Sequence, residues 1–394
     1  MKICIIAPTV IPILGRKQEY GGIELVVALA AEELTRRGHD VYLFAPGDSH
    51  VSCNLVSITP SAVGQGISFE KEKHFNKIAY EMAVAENPDI IWDNTLAVHA
   101  QEMGENHSIF LFKADIAINR EEMVNTGDIP VIQTLHGPAK DHIPGLIKTL
   151  GEAGQFFVSI SHDQAKRFAP YIERGQHLGT VYNAVDTEFY HINPNKKGDF
   201  LLWLGRFCME KGTHIALEVA HKLDMPIKIV GKIAEKHEKD YFEKFIKPNL
   251  RSKDEVLGII SSEMKKDLYA DAYATLMSNI WPEPFGLVAI ESMASGTPVV
   301  GPSLGSLTEV VNGSGVLVPV EDLHLNENET YITDAQLKYI NRMAEYVPKA
   351  KAIPPELPRD RVEKLFSVKH NADGYETSFA KAIYLKKKEL KALV

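Results

Sequence analysis

Short uninterrupted apolar runs, each closed by a polar residue, glycine or proline and followed by a stretch long enough for a helix, recur from one end of the chain to the other. A run of this kind has no polar alternate face. It suits a strand covered on both sides, as in a parallel sheet with helices packed against it. In the first part such runs are Lys2 to Ala7, Val41 to Ala45, Asp89 to Trp92, Pro130 to Leu135 and Phe156 to Ile160. Helical spacing marks Glu24 to Arg37, ended by Gly38, and Phe69 to Glu86. The pattern then restarts with Phe200 to Leu204, Pro226 to Val230, Asp254 to Ile260, Tyr273 to Ser278, Pro298 to Val300 and Gly315 to Val318. Helices are expected near Lys211-Gly212 and over Glu235 to Lys247, Ser262 to Ala270 and Phe285 to Ser295. A chain of 394 residues exceeds one ordinary α/β core. The reading is therefore α/β with two consecutive Rossmann-like domains, 1–190 and 199–370, joined by the polar run His191 to Asp199.

The residues that carry chemistry sit where strands exit into helices. Gly21-Gly22 opens the first long helix, where backbone N–H groups can approach an anion. No GxGxxG follows the first strand, which argues against a dinucleotide enzyme. Asp93 and Asn94 follow one strand, and His136-Gly137-Pro138 follows another. In Gly205-Arg206-Phe207-Cys208-Met209-Glu210-Lys211-Gly212, one cation exits a strand and the other starts a helix, so both can converge on one anion. The stretch from Trp281 to Gly301 reads WPEPFGLVAIESMASGTPVVG, with Glu283 just before a helix and Glu291 inside it. Helical side chains lean toward the N-terminus, so both carboxylates can face a ligand at the helix start. The unpaired N–H groups of Phe285, Gly286, Leu287 and Val288 would point at that ligand. On local grounds alone, an N-cap turn, a structural histidine, surface cations and solvated glutamates account for the same residues.

These motifs together resemble the retaining glycosyltransferases of family 4: the E-x7-E pair with its EPFG core and SGTPVV exit, the GR…KG segment, the TLHG histidine, the Gly-Gly loop, and an Asn183-Ala184-Val185-Asp186 turn in which Ala184 replaces the usual glycine. The resemblance implies the GT-B fold, two facing Rossmann-like domains with a donor cleft between them, the C-terminal helix 375–394 crossing back to the first. It implies that Gly22, Arg206 and Lys211 meet the donor diphosphate, that Glu283 binds hydroxyls of the donor sugar and Glu291 the ribose, and that His136 lies at the sugar. His136, Glu283, Arg206 and Lys211 would then form the catalytic group. Glu283 is expected to bind sugar and not to act as a nucleophile. Backbone groups near Gly231 and Leu257 to Ile260 are expected to hold the base.

The implied reaction moves a sugar from a nucleotide diphosphate to an acceptor hydroxyl with retention of configuration. Charge on the departing phosphate would be met by protein cations and amides, so no metal and no cofactor is expected; no Asp-x-Asp occurs in the sequence. A UDP-sugar such as UDP-glucose is the expected donor, with GDP-mannose next. The net charge of −9 argues against a nucleic-acid partner. The first-domain helices mix acids with their basic residues, so membrane association is not expected. The acceptor is then a soluble small molecule or oligosaccharide; a lipid-linked acceptor for cell-surface polysaccharide is the alternative. The segment from Asn94 to Gly127 is long enough to carry acceptor contacts. A nucleotide-sugar epimerase and a non-catalytic nucleotide-sugar-binding protein are the remaining alternatives; the pyridoxal-phosphate lysine of a phosphorylase has no counterpart. The apolar start is broken by Pro8 and reads as a strand, not a leader; three cysteines without CxxC fit a reducing cytoplasm.

Overall fold

The computed structural model describes residues 1–64, 67–95, 124–139, 143–321 and 331–392. The chain forms two compact units, Met1–Ala184 with Val368–Val394, and Val185–Ser367. In the first, β1 (Lys2–Ile6), β2 (Asp40–Pro46), β3 (Asn54–Thr59), β4 (Ile90–Asp93), β5 (Val131–Leu135), β6 (Phe156–Ser159) and β7 (His177–Thr180) make one parallel sheet in the order 3-2-1-4-5-6-7. Its helices are α1 (Gly22–Arg36), α2 (Phe69–Ala85), α3 (Ile143–Glu152), α4 (His162–Phe168) and, from the far end of the chain, α12 (Val368–Ala392). The second unit repeats this plan with β8 (Leu201–Leu204), β9 (Ile227–Val230), β10 (Glu255–Gly258), β11 (Ala274–Leu276), β12 (Val299–Pro302) and β13 (Val316–Val318), ordered 10-9-8-11-12-13. Its helices are α5 (Thr213–Lys222), α6 (Lys236–Tyr241), α7 (Ser262–Asp271), α8 (Leu287–Ala294), α9 (Leu307–Val310), α10 (Asp334–Tyr346) and α11 (Glu356–Leu365).

Each sheet reverses direction once, between β1 and β4 and between β8 and β11. At such a switch the loops leaving two neighbouring strands diverge to opposite faces and open a crevice at the carboxyl ends of the strands. Those strand ends carry the residues of interest.

Helix α12 completes the first unit. Tyr375 and Phe379, both buried, lie against Trp92 with ring centroids 4.0 and 5.7 Å away. Each fully buried aromatic contributes about 2–3 kcal/mol of transfer free energy. The Trp92 indole donates to Thr134 Oγ1 at 2.8 Å, and Arg37 Nη1 binds Asp373 at 2.8 Å and Glu376 at 2.5 Å.

The structure moves the expected boundaries. The units divide between Ala184 and Val185, and α12 begins at Val368 instead of 375. His191 to Asp199 is not a free linker but part of the second unit. There Asn193 donates to Asp271, Lys196 Nζ reaches Thr297 Oγ1 at 2.8 Å, and Gly198 N–H donates to the Asp271 carbonyl. The sequence reading also lacks β3, β7 and α3. Both strands lie at sheet edges and are only partly covered, so neither shows the continuous apolar run of the central strands. Of the segment Asn94 to Gly127, residues 96–123 lie outside the described residues.

Candidate functional site

In the second unit the β8 and β11 exits, neighbours at the switch point, bring together two segments 70 residues apart in the chain. After β8 the chain passes Gly205-Arg206, turns through Glu210-Lys211, and reaches Gly212 in a left-handed conformation with φ 67°. A Cβ at Gly212 would lie 2.2 Å from the Ser278 carbonyl oxygen, so only glycine lets the turn close on the β11 exit. Ser278 Oγ clamps that turn by donating to the Gly212 carbonyl at 2.7 Å. Ile280 N–H donates to the Glu210 carbonyl at 2.9 Å. Lys211 is thereby aimed at the loop before α8. Its Nζ sits 2.8 Å from Glu283 Oε2, 3.0 Å from Oε1 and 5.4 Å from the Trp281 ring centroid.

The loop carrying Glu283 is itself buttressed. Gly305, with φ 60°, packs so closely that a Cβ would fall 2.8 Å from Glu283 N. Ser306 N–H donates to the Glu283 carbonyl at 3.1 Å, and Ser306 Oγ to the Phe285 carbonyl at 2.7 Å. Gly286 takes φ 94° and caps α8. The expected helix start at Phe285 is thus corrected: helical turns begin at Leu287, because Gly286 is left-handed. The early N–H groups of α8 are those of Leu287 and Val288. The Phe285 side chain is buried, edge-on to Phe366 at 5.8 Å between centroids.

Glu291 lies in a separate ion pair on the buried face of α8. Lys265 Nζ, from α7, is 2.7 Å from Oε1, and the Tyr269 hydroxyl donates to Oε2 at 2.9 Å. The Tyr190 hydroxyl also lies near this carboxylate. Burial, reinforced by the charge of Glu291, raises both tyrosine pKa values well above the ordinary range, so both remain neutral hydroxyl donors. The two acids are thus held by different partners, Glu283 by Lys211 and Glu291 by Lys265 and Tyr269. Lys265, Tyr269 and Tyr190 carry no signal in a linear reading. Tyr269 and Lys265 are four apart on one helix face, but nothing in the sequence points that face at Glu291.

Arg206 is partly exposed beside the same turn. Gly231, after β9, is tightly placed: a Cβ would lie 2.2 Å from the Gly205 carbonyl oxygen. Its N–H is used by the Gly258 carbonyl at 3.1 Å, so that amide is not offered to a ligand.

In the first unit Gly21 precedes α1 with φ 108°, and a Cβ there would meet Ile11 at 2.3 Å and the Glu24 carboxylate at 2.6 Å. Gly22 is the first helical residue and is exposed. Glu24 folds back over this helix start and is 7% exposed. Burial pushes its pKa from the ordinary 4.5 to about 7. Above about 7 the folded carboxylate bears its full burial cost. As the pH falls the folded form takes up the proton, and below 4.5 both states are protonated and the cost vanishes. Glu24→Gln is accordingly expected to stabilise the protein by about 3 kcal/mol above neutrality and hardly at all in acid. Urea unfolding across that range checks this; a gain that does not vary with pH would contradict it.

Asp93 is structural. Oδ2 accepts from Tyr80 at 2.7 Å and Gln133 at 2.8 Å, and Oδ1 accepts from Thr95 N–H at 2.8 Å and Oγ1 at 2.6 Å. His136, at the β5 exit, has Nε2 2.9 Å from Asn94 Oδ1. Loss of solvation lowers its pKa to about 3, so the ring is neutral at physiological pH.

Two family models match this chain in succession: Glycosyltransferase Family 4 over residues 20–189 and Glycosyl transferases group 1 over residues 185–348. Sucrose-phosphate synthase from Thermosynechococcus elongatus superposes with a TM-score of 0.71 at 18% identity, covering 100% of both chains. Anabaena HepE in complex with UDP-glucose superposes at 0.66, with 18% identity over 96% of this chain and 99% of that one. The fold is thus GT-B, two parallel-sheet α/β domains. The chain belongs to the family 4 glycosyltransferases. Among curated relatives, an uncharacterized glycosyltransferase of Methanocaldococcus jannaschii is 32% identical over 123 residues, 28% of this chain and 29% of that protein. The N-acetyl-alpha-D-glucosaminyl L-malate synthase of Bacillus anthracis is 22% identical over 327 residues, 77% of this chain and 81% of that enzyme. The match to the first of these thus spans less than a third of its length.

Proposed function

We propose that this protein is a retaining, metal-independent hexosyltransferase that moves a sugar from a UDP-sugar, UDP-glucose foremost, to a hydroxyl of a soluble small molecule or oligosaccharide in the cytoplasm. The observation that carries this reading is the placement of Lys211 and Glu283 in contact at the switch point of the second sheet, beside Arg206 and the α8 start. UDP-glucose is favoured because HepE binds it in the same fold. A soluble acceptor is favoured by the acidic balance of the chain and by the small glucosaminyl malate for which the Bacillus anthracis relative is named.

In this reading the glycosidic bond lengthens and the sugar ring gains oxocarbenium character. Negative charge collects on the leaving diphosphate. Arg206 and Lys211 offset that charge with the Leu287 and Val288 N–H groups. Lys211 is already placed against Glu283, so it lies between the phosphate it would bind and the acid that would hold the sugar hydroxyls. The acceptor attacks the face from which the phosphate leaves. Its proton passes to a leaving phosphate oxygen, so no carboxylate nucleophile is used. Glu291 accepts from the ribose hydroxyls, its orientation set by Lys265 and Tyr269.

Glu291→Ala is expected to weaken donor binding by about 1–3 kcal/mol, the cost of removing charged hydrogen bonds. Unchanged nucleotide affinity in calorimetry would remove Glu291 from the site. A thermal-shift panel tests the reading as a whole. UDP and UDP-glucose should raise the melting temperature equally with and without excess EDTA; at a hundredfold excess over Kd the gain is about 2.7 kcal/mol. A shift with GDP-mannose alone would reassign the donor, a shift abolished by EDTA would overturn metal independence, and no shift with any nucleotide sugar would overturn the reading.

A further inference from the structure

We propose that Asn94 is a positioning residue for His136: it fixes the imidazole as the tautomer protonated on Nε2 and leaves Nδ1 as a bare acceptor for a hydroxyl of the donor sugar. This rests on the reading that places His136 at that sugar.

The two residues meet because β4 and β5 are adjacent and parallel, with Asp93 paired to Gln133. Asn94 follows the last residue of β4, and His136 the last residue of β5, so both leave the carboxyl end of the sheet. Asn94 is held from every side. Its N–H donates to the Ile6 carbonyl at 2.9 Å, and its neighbours Asp93 and Thr95 are hydrogen-bonded to each other. Its side chain is fully buried. Its amide oxygen lies 2.9 Å from His136 Nε2.

An amide oxygen only accepts, so the hydrogen in this contact belongs to Nε2. A neutral imidazole carries one N–H, and the ring is neutral here because burial disfavours its charged form. Nδ1 is therefore left as an acceptor. A group that answers such an atom must donate, which suits a sugar hydroxyl and excludes a phosphate oxygen. A carboxylate at 94 would accept the same hydrogen, so it is loss of the acceptor, as in Asn94→Leu, that would free the ring to take either tautomer. The Asn94 Nδ2 is a buried donor without a hydrogen-bond partner among the described residues. Turning the amide over would present that donor to Nε2 and force the opposite tautomer, so the tautomer itself decides the proposal.

The test uses the full chain labelled with 15N-histidine. The chain has 15 histidines, and the His136 signals are those absent from His136→Gln. At neutral pH the wild-type ring should show a protonated Nε2 and an unprotonated Nδ1. Asn94→Leu, which removes the acceptor, should release the ring to a mixture of the two tautomers. In calorimetry Asn94→Leu should weaken UDP-glucose by roughly five- to tenfold, one neutral hydrogen bond, while UDP alone binds as before. A wild-type ring protonated on Nδ1 overturns the proposal even if Asn94→Leu does not fold. So does a ring unaltered in Asn94→Leu. If the tautomer is as stated and changes in the variant, but UDP-glucose and UDP lose affinity equally, then Asn94 sets the ring and the placement of His136 at the sugar falls.

Discussion

Lys211→Met should destabilise the protein by about 3 kcal/mol and lower turnover by about 10²–10³, whereas the double variant Lys211→Met/Glu283→Gln should recover most of the stability and none of the turnover. The first half follows from burial. The two side chains are 22% and 11% exposed and share contacts of 2.8 and 3.0 Å. Removing only the lysine leaves a carboxylate with little water and no counter-charge. Removing both charges leaves nothing to compensate. The second half follows from the proposed chemistry, in which phosphate gains charge only as the bond breaks, so a cation facing it acts on kcat as well as on binding. Urea unfolding and steady-state kinetics separate the two halves. Unchanged stability in Lys211→Met would mean that the pair does not form in solution. Wild-type turnover in the double variant would remove both residues from the reaction.

Gly212→Ala should cost about 2–6 kcal/mol, the sum of a left-handed non-glycine residue and an overpacked contact. The clash is with backbone: a Cβ would lie 2.2 Å from the Ser278 oxygen and 3.0 Å from its carbonyl carbon, and neither can rotate away. Relief requires the β8 exit to move off the β11 exit, which carries Lys211 away from Glu283. Gly38→Ala is the control. That residue has φ 85° and nothing within 4 Å of a Cβ, so it bears the backbone strain alone, about 1 kcal/mol. Melting temperatures of the two variants give the comparison. Equal losses would show that the close approach at Gly212 contributes nothing.

The central strands were legible because burial on both faces leaves a continuous apolar run, and most of the candidate site residues stand out because they sit at strand exits and helix starts. Glu283, Arg206 and Lys211 stand at such places, and Glu291 one turn inside the helix that follows. Their partners could not be read there. Lys265 reaches Glu291 across two helices, Gly305 props the Glu283 loop from beyond β12, and Asn94 meets His136 only because β4 pairs with β5. Each depends on strand order, which a linear pattern does not state. The edge strands β3 and β7 escaped for a related reason: half-covered strands need few apolar residues. The helix that carries Glu291 starts two residues later than its spacing predicts, because a left-handed Gly286 and a helical one look alike in sequence.

The product of the reaction is the most direct test of retaining, metal-independent transfer. Protein incubated with UDP-glucose and a panel of soluble hydroxyl acceptors in excess EDTA should release UDP only when an acceptor is present. Proton NMR should then show the new glycosidic bond with the donor's own anomeric configuration. An inverted product, or no glycosylated product in EDTA with any nucleotide sugar on a folded protein, would contradict it.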